Sequence, residues 1–225
     1  ASPGSTPAVR SDGDGPERLG LALCDAEARR AEVESLNERL RSEVQGLRVE
    51  VAELRAQVDI VAATDAISGA LNRRAFLDSF RKEWHRARRY GRPLAVIMTD
   101  IDQFKVINDG YGSEFGDRIL RLVAQALQKA ARGADVIGRY GGDSFGIVLP
   151  ETDPQAARRV AERLRKGLEN AAFEHKGKGV LVTASFGVAC SEEGDPEPEA
   201  LLLRADDHLY QAKRAGRNVV VDDES

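Results

Sequence analysis

RYGGDSF, residues 139–145, lies between two short runs rich in β-branched residues, within DVIGRY (135–140) and SFGIVLP (144–150). The runs have strand composition, and Gly141 and Gly142 between them supply the backbone freedom of a tight turn, so the stretch predicts a β-hairpin. Asp143 follows the glycines directly. A Gly-Gly-Asp turn by itself fits a plain hairpin loop as well as a ligand site, and the segments around it have to decide.

Outward from the hairpin, PLAVIMTDID (93–102) reads as a buried strand, and GDRILRLVAQALQKAAR (116–132) has the apolar spacing of an amphipathic helix. PQAARRVAERLRKGLENA (154–171) predicts another helix and GVLVTASFGVAC (179–190) another strand. ALLLRADDHLYQAKRAG (200–216) is a last long helix closed by Gly216, and NVVVDD (218–223) a final edge strand. Before the first strand, Asn72 is placed to cap a helix over 73–90. Helices and strands interleaved in this way imply an α/β sandwich with one central sheet, the 139–145 hairpin inside it.

Upstream, the pattern is different. With Leu40, Leu47 and Leu54 at heptad position d, position a holds Asn37, Val44, Val51 and Val58. Valine at a with leucine at d favours a parallel two-stranded coiled coil, and a buried Asn pair fixes register. Glu43 and Glu50 at g face Arg48 and Arg55 at e of the following heptad, where parallel partners pair them. The expected organisation is therefore a disordered lead over 1–18, a dimeric parallel coiled coil over 19–62 and an α/β domain over 63–222.

Composition narrows the function. A net charge of −4 gives no overall field for a polyanion, so nucleic acid is not an expected partner. Cys24 and Cys190 are the only cysteines and stand far apart, which predicts neither a disulfide framework nor a zinc site and suits a reducing cytoplasm. No apolar run reaches membrane-spanning length, so no insertion is expected in this segment. The chain begins at Ala1 rather than Met and is read as a segment of something longer.

Chemistry is suggested at two places. Asp100 and Asp102 stand two apart at the end of an apolar strand, hence on one face if the backbone stays extended. Carboxylates so placed commonly hold Mg²⁺ together with substrate phosphates. The other place is the Gly-Gly-Asp turn.

The whole set of motifs, TDAISGALNRRAF (64–76), DIDQFKVINDGYGSEFGD (100–117), RGADVIGRYGGDSFGIVLP (132–150), VTASFGVA (182–189) and ADDHLYQAKRAGRN (205–218), strongly resembles the GGDEF family of diguanylate cyclases. The resemblance implies a mostly antiparallel sheet flanked by helices, the nucleotidyl-cyclase-like architecture, here preceded by a long coiled-coil helix. It implies the condensation of two GTP into cyclic di-GMP across a pair of domains, with Mg²⁺ or Mn²⁺ as cofactor. By the same resemblance, Asp100, the Ile101 carbonyl and Asp143 correspond to metal positions. Asn108 and Asp117 correspond to the pair that reads guanine, and Lys105, Lys213 and Arg217 to phosphate contacts, beside the Gly141–Gly142 turn. Arg132 and Asp135 match the RxxD inhibitory site for cyclic di-GMP, with Arg163 as its neighbouring-helix arginine. Taken singly, Asn108 and Asp117 also read as helix caps, and Lys213 and Arg217 as last-turn cations.

Two positions depart from the family. Ser113 stands where the family carries His, and Ser144 where it carries Glu. Serine has no charge near neutral pH and cannot act alone as a base, and lost general-base assistance costs roughly 10²–10⁴ in rate. The expectation is a cyclic di-GMP receptor with weak or absent cyclase activity. The alternatives are an active, product-inhibited cyclase and a domain that binds GTP without turnover.

Overall fold

The structure is a computed structural model that describes residues 15–192 and 194–224. Residues 1–14 of the expected lead lie outside the described residues, and the last four of that segment already belong to a helix. This helix, α1 (Gly15–Ala63), carries the heptads. Val33, Leu40, Val44, Leu47, Val51 and Val58 along it are all exposed in the single chain, at 45–65%. Leu54, Arg55 and Val61 have side chains outside the described set. The described residues up to Asp59 and those from Ile60 onward form two separate units.

In the second unit, α2 (Arg73–Tyr90), β1 (Leu94–Ile101), α3 (Phe104–Tyr111), α4 (Ser113–Ala130), β2 (Val136–Gly141) and β3 (Ser144–Pro150) come first. After them follow α5 (Pro154–Glu169), β4 (Phe173–His175), β5 (Lys178–Val180), β6 (Ala184–Cys190), α6 (Pro198–Arg214) and β7 (Val220–Val221). The five-stranded sheet has the order β2-β3-β1-β6-β7, antiparallel throughout except for the parallel β6–β7 pair.

β1 is central and buried along its whole length. Its side chains alternate between two cores, because successive residues of a strand point to opposite faces. Leu94, Val96 and Met98 pack with Phe76, Phe80 and Trp84 of α2 and with Leu201, Ala205 and Leu209 of α6. Ala95, Ile97 and Ile101 meet Ile119 and Val123 of α4 and Ala157, Ala161 and Leu164 of α5. Two covered faces explain why β1 reads as a continuous apolar run rather than an alternating one.

Close approaches set the spacing of the layers. Gly138 and Gly146 are partners across β2–β3, and the Phe76 ring lies on both: a Cβ on Gly146 would meet Phe76 Cζ at 2.3 Å, one on Gly138 would meet Phe76 Cβ at 2.5 Å. Likewise a Cβ on Gly187 of β6 would stand 2.1 Å from the Ala205 carbonyl oxygen and the Leu209 nitrogen, so α6 lies backbone to backbone on the sheet.

The helix over 73–90 starts as expected, with the Asn72 side chain accepting from the Ala75 N–H at 3.0 Å. Two elements differ from the sequence reading. The run 179–190 is broken: β5 leaves the large sheet to form a hairpin with β4, turned by Lys176 and Gly177 at positive φ, and Leu181 beyond it is 74% exposed. The segment 104–111 forms the short helix α3, hidden in the sequence by its glycines and by Gln103, which enters it in a left-handed conformation.

Replacing Gly146 by alanine forces the Phe76 ring off the hairpin and should cost about 1–3 kcal/mol, lowering the melting temperature by roughly 3–10 °C in thermal unfolding followed by circular dichroism.

Candidate functional site

The end of β1, the β2–β3 turn, the α3–α4 corner and the end of α6 meet at one edge of the sheet. Cross-strand register places Asp100 of β1 directly opposite Ser144 of β3 and Ser185 of β6. Residues opposed in this way project to the same face about 5 Å apart. Gly142 turns the hairpin at φ +55°, and the Ile101 N–H donates to the Asp143 carbonyl at 3.4 Å, tying the turn to the end of β1.

Asp100 is 7% exposed. One of its oxygens, Oδ2, takes a hydrogen-bonded ion pair from Lys213 of α6, a reach set by the close seating of α6 on Gly187. The other, Oδ1, is buried without a partner. Asp143 is half-buried, and burial first, then the charge of Asp100, pushes its carboxyl above the ordinary value. Burial and Asp100 push Asp206 of α6 the same way. Negative charge is thus concentrated around Asp100. An all-oxygen donor set with a buried orphan oxygen suits a hard divalent cation such as Mg²⁺. Among the described residues, no group of three or more His, Cys, Asp and Glu side chains is placed to hold a metal.

Asp102 does not join this set. β1 ends at Ile101, and the Asp102 carboxylate accepts from Thr183 Oγ1 at 2.7 Å, Ser185 Oγ at 2.6 Å and the Asn218 N–H at 3.0 Å. It anchors the turn after α6, where Gly216, Arg217 and Asn218 all have positive φ. Asn218 is held further by Arg165 at 2.9 Å and Glu169 at 2.8 Å. Asp102 is therefore a positioning residue for the Arg217 turn, a role the DxD pattern conceals.

At the α3–α4 corner, neither Asn108 nor Asp117 caps a helix, since the N-cap positions are Gln103 and Gly112. Asn108 Oδ1 is buried without a partner and occupies the space a Cβ on Gly116 would need, 1.8 Å away. The amide is thereby brought against the first turn of α4, next to Asp117. Lys105 is exposed on the first turn of α3, and Ser113 is exposed at the start of α4.

A second assembly lies beyond β2. The Arg132 N–H donates to Asp135 Oδ2 at 2.7 Å, and the Asp135 N–H to the Arg132 carbonyl at 3.0 Å, closing a tight turn. Beside it is a cavity of about 310 Å³ lined by Arg132, Asp135, Gln128, Ser79, Leu71 and Ile137 among others. Arg163 of α5 donates to the Ala130 carbonyl at 2.9 Å, which brings it to the same end of α4, although it does not line the cavity. Ser79, Gln128 and Leu71 were not legible as site residues, because each reaches the cavity from a segment whose pattern signals only packing.

Between the two assemblies runs a connection. The Leu71 N–H donates to the Ile137 carbonyl at 3.3 Å, and the Arg139 N–H to the Leu71 carbonyl at 2.7 Å. The Arg139 guanidinium then binds Asp65 at 3.0 Å and the Gly142 carbonyl at 2.6 and 2.9 Å. Asn72 ties the same entrance segment to the end of α1, donating to the carbonyls of Ala62 and Ala63 at 2.7 Å each.

An edge-exposed Gly-Gly-Asp hairpin thus stands beside a strand-end aspartate, with a helix-borne lysine closing on it. Residues 62–219 match the family model described as "Diguanylate cyclase, GGDEF domain", and the chain belongs to this family. It is similar to the diguanylate cyclase DgcP of Pseudomonas aeruginosa, 41% identical over 157 residues, covering 70% of this chain and 23% of that protein. To the response regulator PleD of Caulobacter vibrioides it is 38% identical over 209 residues, covering 90% of this chain and 46% of that protein. The chain thus spans less than half the length of these two relatives. Among solved structures, the coiled coil and GGDEF domain of DgcB from Caulobacter crescentus, in complex with c-di-GMP, superposes with a TM-score of 0.72 at 30% identity, covering 88% of this chain and 98% of that one. Diguanylate cyclase SiaD of Pseudomonas aeruginosa, in complex with its activator SiaC, gives 0.74 at 31% identity, covering 94% and 80%.

Burial raises the carboxyl of Asp65, but hydrogen bonds from Ser68 and the Arg139 contact outweigh it, and the net shift is downward from 3.8. A depressed folded value contributes stability above the ordinary value, lost as the pH falls through the lowered one. Asp65→Asn should therefore cost about 1–3 kcal/mol at pH 7, and the gap from the parent should close on acidification below 3.8, as read by urea titration at a series of pH values.

Proposed function

We propose that this GGDEF domain is a receptor for cyclic di-GMP, bound at the Arg132–Asp135 turn with Arg163, and that its diguanylate cyclase activity is weak or absent. The observation that carries the proposal is the register that sets Ser144 opposite Asp100, together with an intact RxxD turn before the other end of β2. A glutamate at 144 would add a third carboxylate to Asp100 and Asp143. Serine removes both that charge and a candidate base, while leaving the hairpin geometry in place. The loss is confined to the reacting centre.

At the RxxD turn the chemistry suits a guanine nucleotide. A guanidinium donates in a fork to O6 and N7 or to phosphate, and a carboxylate accepts from the guanine N–H groups. The apolar wall of Leu71, Val136 and Ile137 offers a flat surface for a base.

A second reading, retention of GTP without turnover, is favoured by the two orphan oxygens. Asn108 Oδ1 and Asp100 Oδ1 are buried and unpaired, and native proteins rarely leave such groups without a partner. On this reading Asn108 and Asp117 read guanine, and Lys105, Lys213 and Arg217 contact phosphates near the Gly141–Gly142 turn. Asp100, the Ile101 carbonyl and Asp143 hold Mg²⁺ or Mn²⁺, which would screen the phosphate charge. Such a domain would act as a nucleotide-occupied scaffold for the cyclic di-GMP site.

The apolar stripe on α1 completes the proposal. Exposed valines at a and leucines at d call for a partner helix, and a second copy of the chain in parallel supplies it. A cytoplasmic setting fits, and among the described residues no helix is long and apolar enough to cross a membrane.

In calorimetry, cyclic di-GMP should bind the parent, and Arg132→Ala should weaken binding by about 10–100-fold, the worth of a charged hydrogen-bonding group. Equal affinity of parent and variant would remove the RxxD turn as the receptor site. Sedimentation should show a dimeric parent and a monomeric Leu47→Asp variant. A parent that stays monomeric at every concentration would contradict the coiled-coil pairing.

A further inference from the structure

The chain's net charge of −4 conceals a strong local asymmetry. Between Arg73 and Arg92, eight arginines and lysines stand against two acids, Asp78 and Glu83. The helical period separates the apolar residues from the charged ones, with Asp78 exposed among the cations and paired with Arg81 at 3.9 Å. Phe76, Phe80, Trp84 and Ala87 are buried against the sheet, while Arg74, Arg81, Lys82, His85, Arg86, Arg88 and Arg89 are exposed on the opposite side. From Arg74 to Arg89 the stripe runs roughly 22 Å at 1.5 Å per residue, longer than the Debye length of about 8 Å at physiological salt, so its ends act on different parts of a partner.

Some of this charge is used within the chain. Arg81 pairs with Glu199 at 2.8 Å, Arg86 with Glu83 at 3.6 Å, and Arg88 donates to the Asp195 carbonyl at 3.2 Å. Arg74, Lys82 and Arg92 form no ion pair among the described residues, and Arg89 lies over the Tyr90 ring at 5.6 Å. Tyr90 itself is 63% exposed at the end of the stripe.

We infer that the outward face of α2 is a docking surface for the acidic headgroups of a lipid membrane. Charge complementarity with a flat, anionic surface is the basis. The cations recur along one side of a straight helix rather than around a concave site, and their long stems let the charged ends reach a plane. An exposed tyrosine at the rim suits headgroup depth. Because the stripe lies on the side of α2 opposite Phe76, which touches the β2–β3 pair, adsorption leaves the Gly-Gly-Asp turn uncovered. The domain lies on the surface and does not enter the bilayer.

The test is co-sedimentation of the full chain with vesicles of equal parts phosphatidylcholine and phosphatidylglycerol, beside vesicles of phosphatidylcholine alone. Each cation near an anionic surface contributes a gain of about five-fold. The triple variant Arg74→Gln, Lys82→Gln, Arg89→Gln should therefore lose about 100-fold in partitioning, with unchanged melting temperature and cyclic di-GMP affinity. Added salt should weaken the parent's binding. Equal partitioning to the neutral vesicles, or an unaffected triple variant, would overturn the inference. So would release of the parent from the acidic vesicles by an equal charge concentration of duplex DNA, which would assign the face to nucleic acid.

Discussion

Arg139 makes the contact on which the rest of the domain's chemistry depends. Its guanidinium is held between the Asp65 carboxylate of the entrance segment and the Gly142 carbonyl of the hairpin turn. A turn of two glycines has little intrinsic preference for one geometry, and a charge-assisted clamp on its carbonyl supplies one. Asp143 and Ser144 follow that carbonyl directly, so an acidic position shared with the family and the serine that departs from it are both placed by an ion pair outside the turn. Because Asn72 also holds the end of α1 and Leu71 lines the RxxD cavity, one short segment touches the helix, the cavity and the turn.

The remaining constraints are packing constraints. β1 is buried on both faces, and the two helical layers are drawn in to backbone distance at Gly187 and to ring distance at Gly138 and Gly146. Those contacts fix where α2 and α6 sit. Lys213 consequently meets Asp100, and Asp102 meets the turn that carries Arg217. The acidic centre is internally neutralised at one oxygen of Asp100 and left open at the other. Under the proposed function this arrangement would bind an anion and a cation together, with Ser144 leaving it a carboxylate short of a glutamate-bearing site.

Much of the architecture was legible because it rests on local signals. Asn72, the alternation hidden in LAVIM and the glycine pair of the hairpin each announce an element by their own chemistry. The stretch 103–112 was not legible, since a helix entered through a left-handed Gln103 and ended by glycines shows turn residues at both ends. Nor was the split of 179–190, where the apolar pattern runs on through Leu181 while the backbone leaves the sheet. In the site, residue types alone paired Asp100 with Asp102, and only the cross-strand hydrogen bonds of Thr183 and Ser185 show that Asp102 is structural. Ser79, Gln128 and Leu71 come together through tertiary packing, which no single segment encodes.

Under the proposed function the chain keeps its nucleotide-binding frame and lacks the group at position 144 that turns substrate over. Chromatographic detection of cyclic di-GMP from GTP and Mg²⁺, with the parent and Ser144→Glu side by side, tests it directly. The parent should give little or no multiple-turnover product and the variant a rate higher by about 10² or more, the scale of restored acid–base assistance. Steady accumulation of cyclic di-GMP by the parent, at a rate the glutamate does not raise, would contradict it.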